Sequence, residues 1–597
     1  MRGLTKPTLS YFSKDKFSSG TFVKIPLRKG STLAIVKSSF DARQIKDDIK
    51  KSSFSLKKLT AVKEASGLSP AFMQAVRQTA HFYATSEGSV LGAVLPKKFL
   101  ASPKLLKQTT NKTQVCGEVR LVQLVDEERF REYRGIIREA FARRQSVLFI
   151  TPTKEEALRA KSLLSTGIER YVYTENEMLK ALEDKHPILL ITLPSLIAFD
   201  RRDLKIIIVE RENSRAYQTM SRPFLSTKTF IEYYALNKGL TLILGDSLLS
   251  LESLWRERNG QFSEFSPLTW RIKHETPAEI VNMRESKTFE ILSPRLRNFI
   301  NETLDKNKRI FLFGVRRGLA PSTVCSDCGS ILLCKNCHAP MVLHSPPLYV
   351  CHHCGAKRTA ETKCDTCGGW RLMPLGIGTE RIFEECKKLY KDTPIFLVDK
   401  ESAPTRAKAK AIIKQFQASK RGILVGTELS LPYLEMVDRV GVVSLGSLFS
   451  IPDFSINERI FYLLTHLRSL AKEAFLIQSR NVGSEDLEQA MRGNILDFYR
   501  AEIAEREEIA YPPFSIFIKV IFEGTPDKVK KQSIYLQSLF IENKPHFILN
   551  QRAKHGKQIL SMILRAPRES WPNAEICRKL LLLTPDFLIK VDPESII

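Results

Sequence analysis

The chain has no apolar run of 18 residues, so no membrane-crossing helix is expected. Its start, Met1-Arg2-Gly3-Leu4-Thr5-Lys6-Pro7, lacks the apolar stretch of an export signal. A phosphate loop of the pattern G-x-x-x-x-G-K-[ST] occurs nowhere in the 597 residues, so the common backbone cradle for a triphosphate is not expected. There is no internal repeat and no low-complexity tract, which excludes solenoid and fibrous designs. Acidic residues are the minority, 65 against 92 lysines and arginines, for a formal charge of +27. That excess favours a polyanionic partner, most simply nucleic acid, through phosphate neutralisation and counterion release. The cations are spread along the chain, which fits a long binding track. No basic amphipathic helix stands out, so a membrane surface is not the expected partner.

Eight of the eleven cysteines stand in four C-x2-C pairs: Cys325/Cys328, Cys334/Cys337, Cys351/Cys354 and Cys364/Cys367. Each pair points two thiolates at one tetrahedral ion, so four pairs make two closed, structural, four-thiolate zinc sites. Disulfides are the alternative, but a chain of this size has a core and needs no such staples. Reduced cysteines without an export signal place the expected location in the cytoplasm. Thirteen residues join the second and third pairs and suit a hairpin with a knuckle on each arm. A nested arrangement follows, with Cys334, Cys337, Cys351 and Cys354 on the inner ion. Cys325, Cys328, Cys364 and Cys367 would hold the outer one. Two such sites lower the formal charge by about 4. His338, His344, His352 and His353 are spare ligands, and Cys116, Cys386 and Cys577 read as ordinary thiols.

Along the chain, Phe22–Pro26 and Leu33–Val36 read as strands, and Ser69 caps a helix running to about Tyr83. Glu132–Arg144 reads as a helix. The runs Ser146–Ile150, Ile188–Ile191, Ile206–Val209 and Thr241–Leu244 then alternate with helical stretches, as in a parallel sheet covered on both faces. A second set, Ile310–Phe313, Ile395–Val398, Gly422–Val425 and Val440–Val443, brackets the cysteine block. From Tyr511 onward the pattern is that of a small α+β domain.

The order of these parts resembles the PriA family, the primosomal protein N′ helicases of replication restart. The resemblance rests on Arg316-Arg317-Gly318 before the cysteines and on Cys351-His352-His353-Cys354-Gly355. Further on it rests on Gly376 through Arg381, Ile423-Leu424-Val425-Gly426-Thr427, Phe454 through Thr465, and Ala504-Glu505-Arg506 before Tyr511-Pro512-Pro513-Phe514. Near the start, Gly20 through Pro26, Phe82-Tyr83 and Ala93 through Pro96 resemble the family's domain for DNA 3′ ends. The implied fold is multidomain α/β. A small β-rich DNA-binding domain (1–100) is followed by a linker (101–125) where the family has a winged helix. Then come two RecA-like parallel-sheet helicase lobes (126–280 and 281–507), with the two-zinc, eight-cysteine module (322–372) inserted in the second. An α+β domain (508–597) closes the chain. The family's nested zinc pairing agrees with the one drawn above.

The sequence departs from the family where ATP is handled. In place of its phosphate loop stands Leu124 through Tyr133, with four acidic side chains and no glycine, lysine, serine or threonine. The acidic box is Glu210-Arg211-Glu212-Asn213, and Gly245-Asp246-Ser247-Leu248-Leu249 replaces Gly-Ser-Ala-Thr-Pro. The final motif, His466 through Glu473, has one arginine and no glycine. The expectation is therefore a degenerate member with no catalytic residues, no bound ATP or Mg²⁺, and two structural Zn²⁺. It would bind branched or forked DNA, with primosome, helicase-loading and single-strand-binding proteins as partners by resemblance. The rivals are an active ATP-dependent 3′–5′ helicase and a zinc-ribbon scaffold for RNA or protein. DNA-contact candidates are Tyr11 and Phe12 at the 3′-end pocket and Arg211, Arg215 and Tyr217 in the position of a DNA-sensing loop. Lys408, Lys410, Lys414 and Lys420 read as a solvated helix face. Trp370 is expected to pack on the zinc module or, if exposed, to wedge at a duplex junction.

Overall fold

The computed structural model describes residues 9–27, 30–44, 56–59, 67–95, 117–194, 200–273, 276–283, 290–315, 322–325, 330–336, 341–344, 348–351, 356–359, 361–375, 378–445, 448, 451, 453–480, 483, 485–550 and 557–596. They divide into two compact units, one built on residues 1–269 with 566–585 and 589–592, the other on 270–565 with 586–588 and 593–597. The 508–597 stretch is thus shared between them.

The first unit carries a seven-stranded sheet. Its strands are β1 (Glu118–Gln123), β2 (Ser146–Ile150), β3 (Val172–Thr174), β4 (Leu189–Thr192), β5 (Leu204–Glu210), β6 (Thr241–Asp246) and β7 (Ser263–Glu264). Their order is β7-β1-β6-β5-β2-β4-β3, and every neighbouring pair runs parallel. Strands β2 and β4 are buried throughout because helices cover both faces, which explains their unbroken apolar runs. Helix α1 (Asp126–Ala142) packs Phe130, Tyr133, Ile136, Ile137 and Ala140 against Phe149, Ile191 and Ile243. It begins six residues before the expected Glu132, so the run after β1 is helix rather than loop. Asp126, Glu127 and Glu128 in its first turn suit the positive end of the helix dipole.

The N-terminal part supplies an antiparallel hairpin, Phe22–Leu27 with Gly30–Ile35. The helix Pro70–Phe82 follows, capped by Ser69 through a bond from the Phe72 amide (3.3 Å). Phe72 meets Phe230 and Tyr234 edge-on. In the same unit the Trp571 indole donates to the Phe82 carbonyl (3.1 Å) and Arg568 pairs with Glu252 (2.9 Å). The polar 101–116 linker lies outside the described residues.

The second unit has six parallel strands: β8 (Ala278–Asn282), β9 (Arg309–Gly314), β10 (Ile395–Val398), β11 (Gly422–Gly426), β12 (Val437–Ser444) and β13 (Ala471–Ser479). Their order is β8-β13-β12-β9-β11-β10, so β10 is an edge. Helix α2 (Thr379–Leu389) contributes Ile382 and Cys386 to a core with Ile310, Leu312, Ile423 and Val425. Helix α3 (Arg406–Ala418) buries Ala409, Ile413 and Phe416, with Phe416 against Phe396. Between β9 and α2 the cysteine block forms its own small sheets, so the two-lobe plan with an insertion in the second is present. No described helix is long and apolar enough to cross a membrane.

Candidate nucleotide cleft and metal centre

In an open parallel sheet, ligands bind beyond the carboxyl ends of the strands. In the first unit those ends bring together the start of α1, the Glu210–Asn213 run that begins at the last residue of β5, and Asp246 at the end of β6. Arg129 occupies this rim, fully buried. Its guanidinium donates to both oxygens of Glu210 (2.6 and 3.0 Å), to Asp126 Oδ1 (2.9 Å) and to the Leu124 carbonyl (2.6 Å). The Tyr133 hydroxyl donates to Glu210 Oε2 (2.9 Å). That hydroxyl also fills the space above Gly245, where an added Cβ would lie 1.8 Å from it. Glu210 is therefore engaged at both oxygens by α1, one turn from where the chain enters the helix.

The neighbouring charges are closed off in the same way. Arg211 has a left-handed backbone (φ 50°) and is held by ion pairs to Asp126 (3.0 Å) and Glu156 (2.9 Å). Arg159 adds a third cation to Asp126 (2.8 Å). Burial pushes the Asp126 carboxyl up, but Arg211, Arg129 and Arg159 outweigh it and hold it well below the usual carboxylate range. Asp246 is the opposite case, for burial pushes it up to about 7 against the pull of Arg211 and Arg129. Glu212 accepts from Lys228 and from the Ser250 amide. The first turn of the helix carries three carboxylates, Asp126, Glu127 and Glu128, whose charge opposes a bound phosphate.

In the inserted module, Ser322–Cys325 pairs antiparallel with Leu372–Leu375. The expected hairpin between the second and third cysteine pairs is present, with Met341–His344 opposite Leu348–Cys351. The sulfurs of Cys325, Cys364 and Cys367 lie within 4.8 Å of one another, and Cys325 and Cys367 are 3.6 Å apart. A zinc–thiolate tetrahedron with arms of about 2.3 Å has edges of about 3.8 Å. A disulfide would need about 2.05 Å. Backbone amides of Thr366 and Gly369 point at the sulfurs of Cys364 and Cys367 (3.4 Å each), as thiolates require. These three residues fit one ion. Cys334 and Cys351 are buried in one cluster with Leu332, Met341 and Tyr349, and the Asn336 amide points at Cys334 (3.4 Å). Cys328, Cys337 and Cys354 lie outside the described residues, as do His338, His352 and His353.

No protein-family model matches the chain. The replication restart protein PriA of Thermotoga maritima is 25% identical over 482 residues, 77% of this chain and 64% of that protein. That of Helicobacter pylori is 24% identical over 557 residues, 88% and 86% of the two chains. That of Bacillus subtilis is 27% identical over 364 residues, 59% and 44%. The chain belongs to the PriA family. Its matches span about half to two thirds of the length of most of these PriA relatives. Among solved structures, the helicase Mss116p bound to ssRNA and AMP-PNP aligns at a TM-score of 0.38 and 13% identity, over 79% of this chain and 84% of that one. The helicase MrfA bound to DNA aligns at 0.35 and 13%, over 65% and 49%.

The run Leu124 through Tyr133, where the family resemblance implies a phosphate loop, holds the start of α1. Of the DNA-contact candidates, Tyr217 is 2% exposed, and its hydroxyl donates to the Glu210 carbonyl (2.7 Å), so its ring is core. Arg211 is spent on Asp126 and Glu156. Arg215 begins a short 3-10 turn with Ala216 and Tyr217. The Tyr11 hydroxyl donates to the Pro26 carbonyl (3.1 Å), whereas Phe12 is 46% exposed. Trp370 does not pack on the metal module, being 77% exposed on the turn after Cys367. Arg129 and Tyr133 are site residues that no sequence motif marks. The signal was there: Arg129 falls on the apolar stripe Arg129, Tyr133, Ile136, Ile137, Ala140, where a cation needs a buried partner.

Proposed function

We propose that this chain is a DNA-binding member of the PriA family that recognises branched replication forks without hydrolysing ATP. The observation that carries the second half is the buried Arg129–Glu210 pair with Tyr133 and Asp126 around it. A Mg²⁺-triphosphate needs free carboxylate oxygens on the acidic box and free amides at the helix start. Here both oxygens of the first box residue are taken, and freeing them breaks a buried ion pair at a cost of about 3–5 kcal/mol. That cost alone weakens binding by roughly 10²- to 10⁴-fold. Without Mg²⁺ and paired arginines, the main electrostatic contribution to phosphoryl transfer is missing.

The DNA half is supported by the formal charge of +27 and by relatives whose name is replication restart protein PriA. In this reading the chain works in the cytoplasm, by phosphate contacts and fork shape. It recruits primosome, helicase-loading and single-strand-binding proteins, as the family resemblance suggests. Two zinc ions, held by Cys325, Cys328, Cys364 and Cys367 and by Cys334, Cys337, Cys351 and Cys354, would brace the inserted module.

Zinc-loaded protein is tested for ATP turnover with and without forked DNA. Competition binding among fork, plain duplex and RNA is measured at stated salt. The expected result is fork preference with no DNA-stimulated turnover. Stimulated turnover would remove the non-hydrolytic reading, and equal or tighter binding to RNA would remove the fork.

A further inference from the structure

Helix α3 lies in a stretch with no acid at all. Between Glu401 and Glu428 stand Arg406, Lys408, Lys410, Lys414, Lys420 and Arg421. The helix docks through Ala409, Ile413 and Phe416, leaving Arg406, Lys408, Lys410 and Lys414 exposed, with Lys420 just beyond its end. Among the described residues these five have no acidic partner. Two features of the helix are unfavourable in the free protein. Its first turn holds cations and no acid, against the helix dipole. Lys410 and Lys414 stand one turn apart on the same stripe, a like-charge pair. Each costs a few tenths of a kcal/mol, and nothing on the helix offsets it. A polyanion lying along the helix would.

We propose that the outer face of α3 is a contact surface for the phosphate backbone of a duplex DNA arm. The row runs along a helix of 13 residues, about 20 Å, beside the edge strand β10. The exposed residues between the cations are Ala407, Ala411, Gln415 and Ala418. No ring is among them, so a single strand finds no platform for its bases. Small side chains let a rigid duplex approach, and cations without base-reading partners give sequence-independent binding. A membrane surface fits less well, because the apolar face of α3 is already buried in the core. The proposal rests on the fork-binding reading and says where a duplex arm meets the second unit.

The test uses full-length zinc-loaded protein, its K410E/K414E variant and the milder K410Q/K414Q. Affinity for a blunt duplex, a fork and oligothymidine is measured from about 50 to 200 mM salt, with thermal midpoint and zinc content as folding controls. Both variants should lose about one unit of the log K–log salt slope per lysine on duplex and fork, with at least about tenfold weaker duplex binding for the glutamate form. Oligothymidine binding should not change. An unchanged duplex slope in the glutamine variant overturns the proposal while leaving fork binding intact. An equal loss on oligothymidine overturns the duplex assignment. So does loss of phosphatidylserine-vesicle binding with DNA binding unaltered. A wild-type chain that binds no DNA overturns the fork reading itself.

Discussion

Arg129 reaches into the carboxyl rim of the first sheet from a helix that could have presented any polar residue there. Its removal leaves Glu210 with only Tyr133 and Asp126 with two remaining cations. Arg129→Ala is expected to lower stability by about 3–5 kcal/mol, because an uncompensated charge stays buried. Thermal and denaturant unfolding of the variant measure this. A loss below about 1 kcal/mol would show the pair to be solvated. Asp246 gives a pH signature of the opposite sign to a salt-bridged acid. Its carboxyl sits at about 7 against an ordinary 3.8, so the native state holds a proton that the unfolded chain has lost. Stability from this group is present below the ordinary value and falls as pH rises toward 7, by up to about 1.4 kcal/mol per pH unit. Asp246→Asn should flatten that decline in the thermal midpoint, and an unchanged slope would assign it elsewhere.

At the level of elements, the strands were legible because burial on both faces leaves an unbroken apolar run. Ser146–Ile150 and Gly422–Val425 are such runs, and both strands coincide with them to within a residue. The Ser69 cap was legible for a local reason, a hydroxyl followed by proline at the first turn. The start of α1 was not. Asp126-Glu127-Glu128 reads as a polar loop until Arg129 is seen to be buried, and that partner, Glu210, lies 81 residues away. The side on which Trp370 falls was equally hidden, since a turn residue beside a metal knuckle can face either way. The cysteine spacing told more than any of these, and three sulfurs expected on one ion do converge. In the other set, Cys351→Ser should unfold the Met341–Arg358 sheet locally, since structural zinc binding is itself folding energy. Zinc analysis and limited proteolysis should show about one ion fewer and new cleavage within 322–372. Retained metal and retained protease resistance would break the pairing scheme.

At the scale of the whole molecule, charge and cleft point in complementary directions. The chain carries an excess of cations, while the described carboxyl rim of the first sheet presents acids and closed ion pairs. A ligand that binds only the native chain stabilises it by mass action, by about 2.7 kcal/mol at a hundredfold excess over its Kd, and so raises its thermal midpoint. Millimolar Mg-ATP is therefore expected to leave the melting temperature where it is, and forked DNA to raise it. A nucleotide-induced rise would show that the cleft opens.

The Arg129–Glu210 contact also bears on ancestry. Exchanging the arginine alone strands a carboxylate, and exchanging the glutamate alone strands a guanidinium. A lineage cannot walk back across this contact by single changes without passing through a less stable protein, so the bond acts as a pawl on the direction of drift.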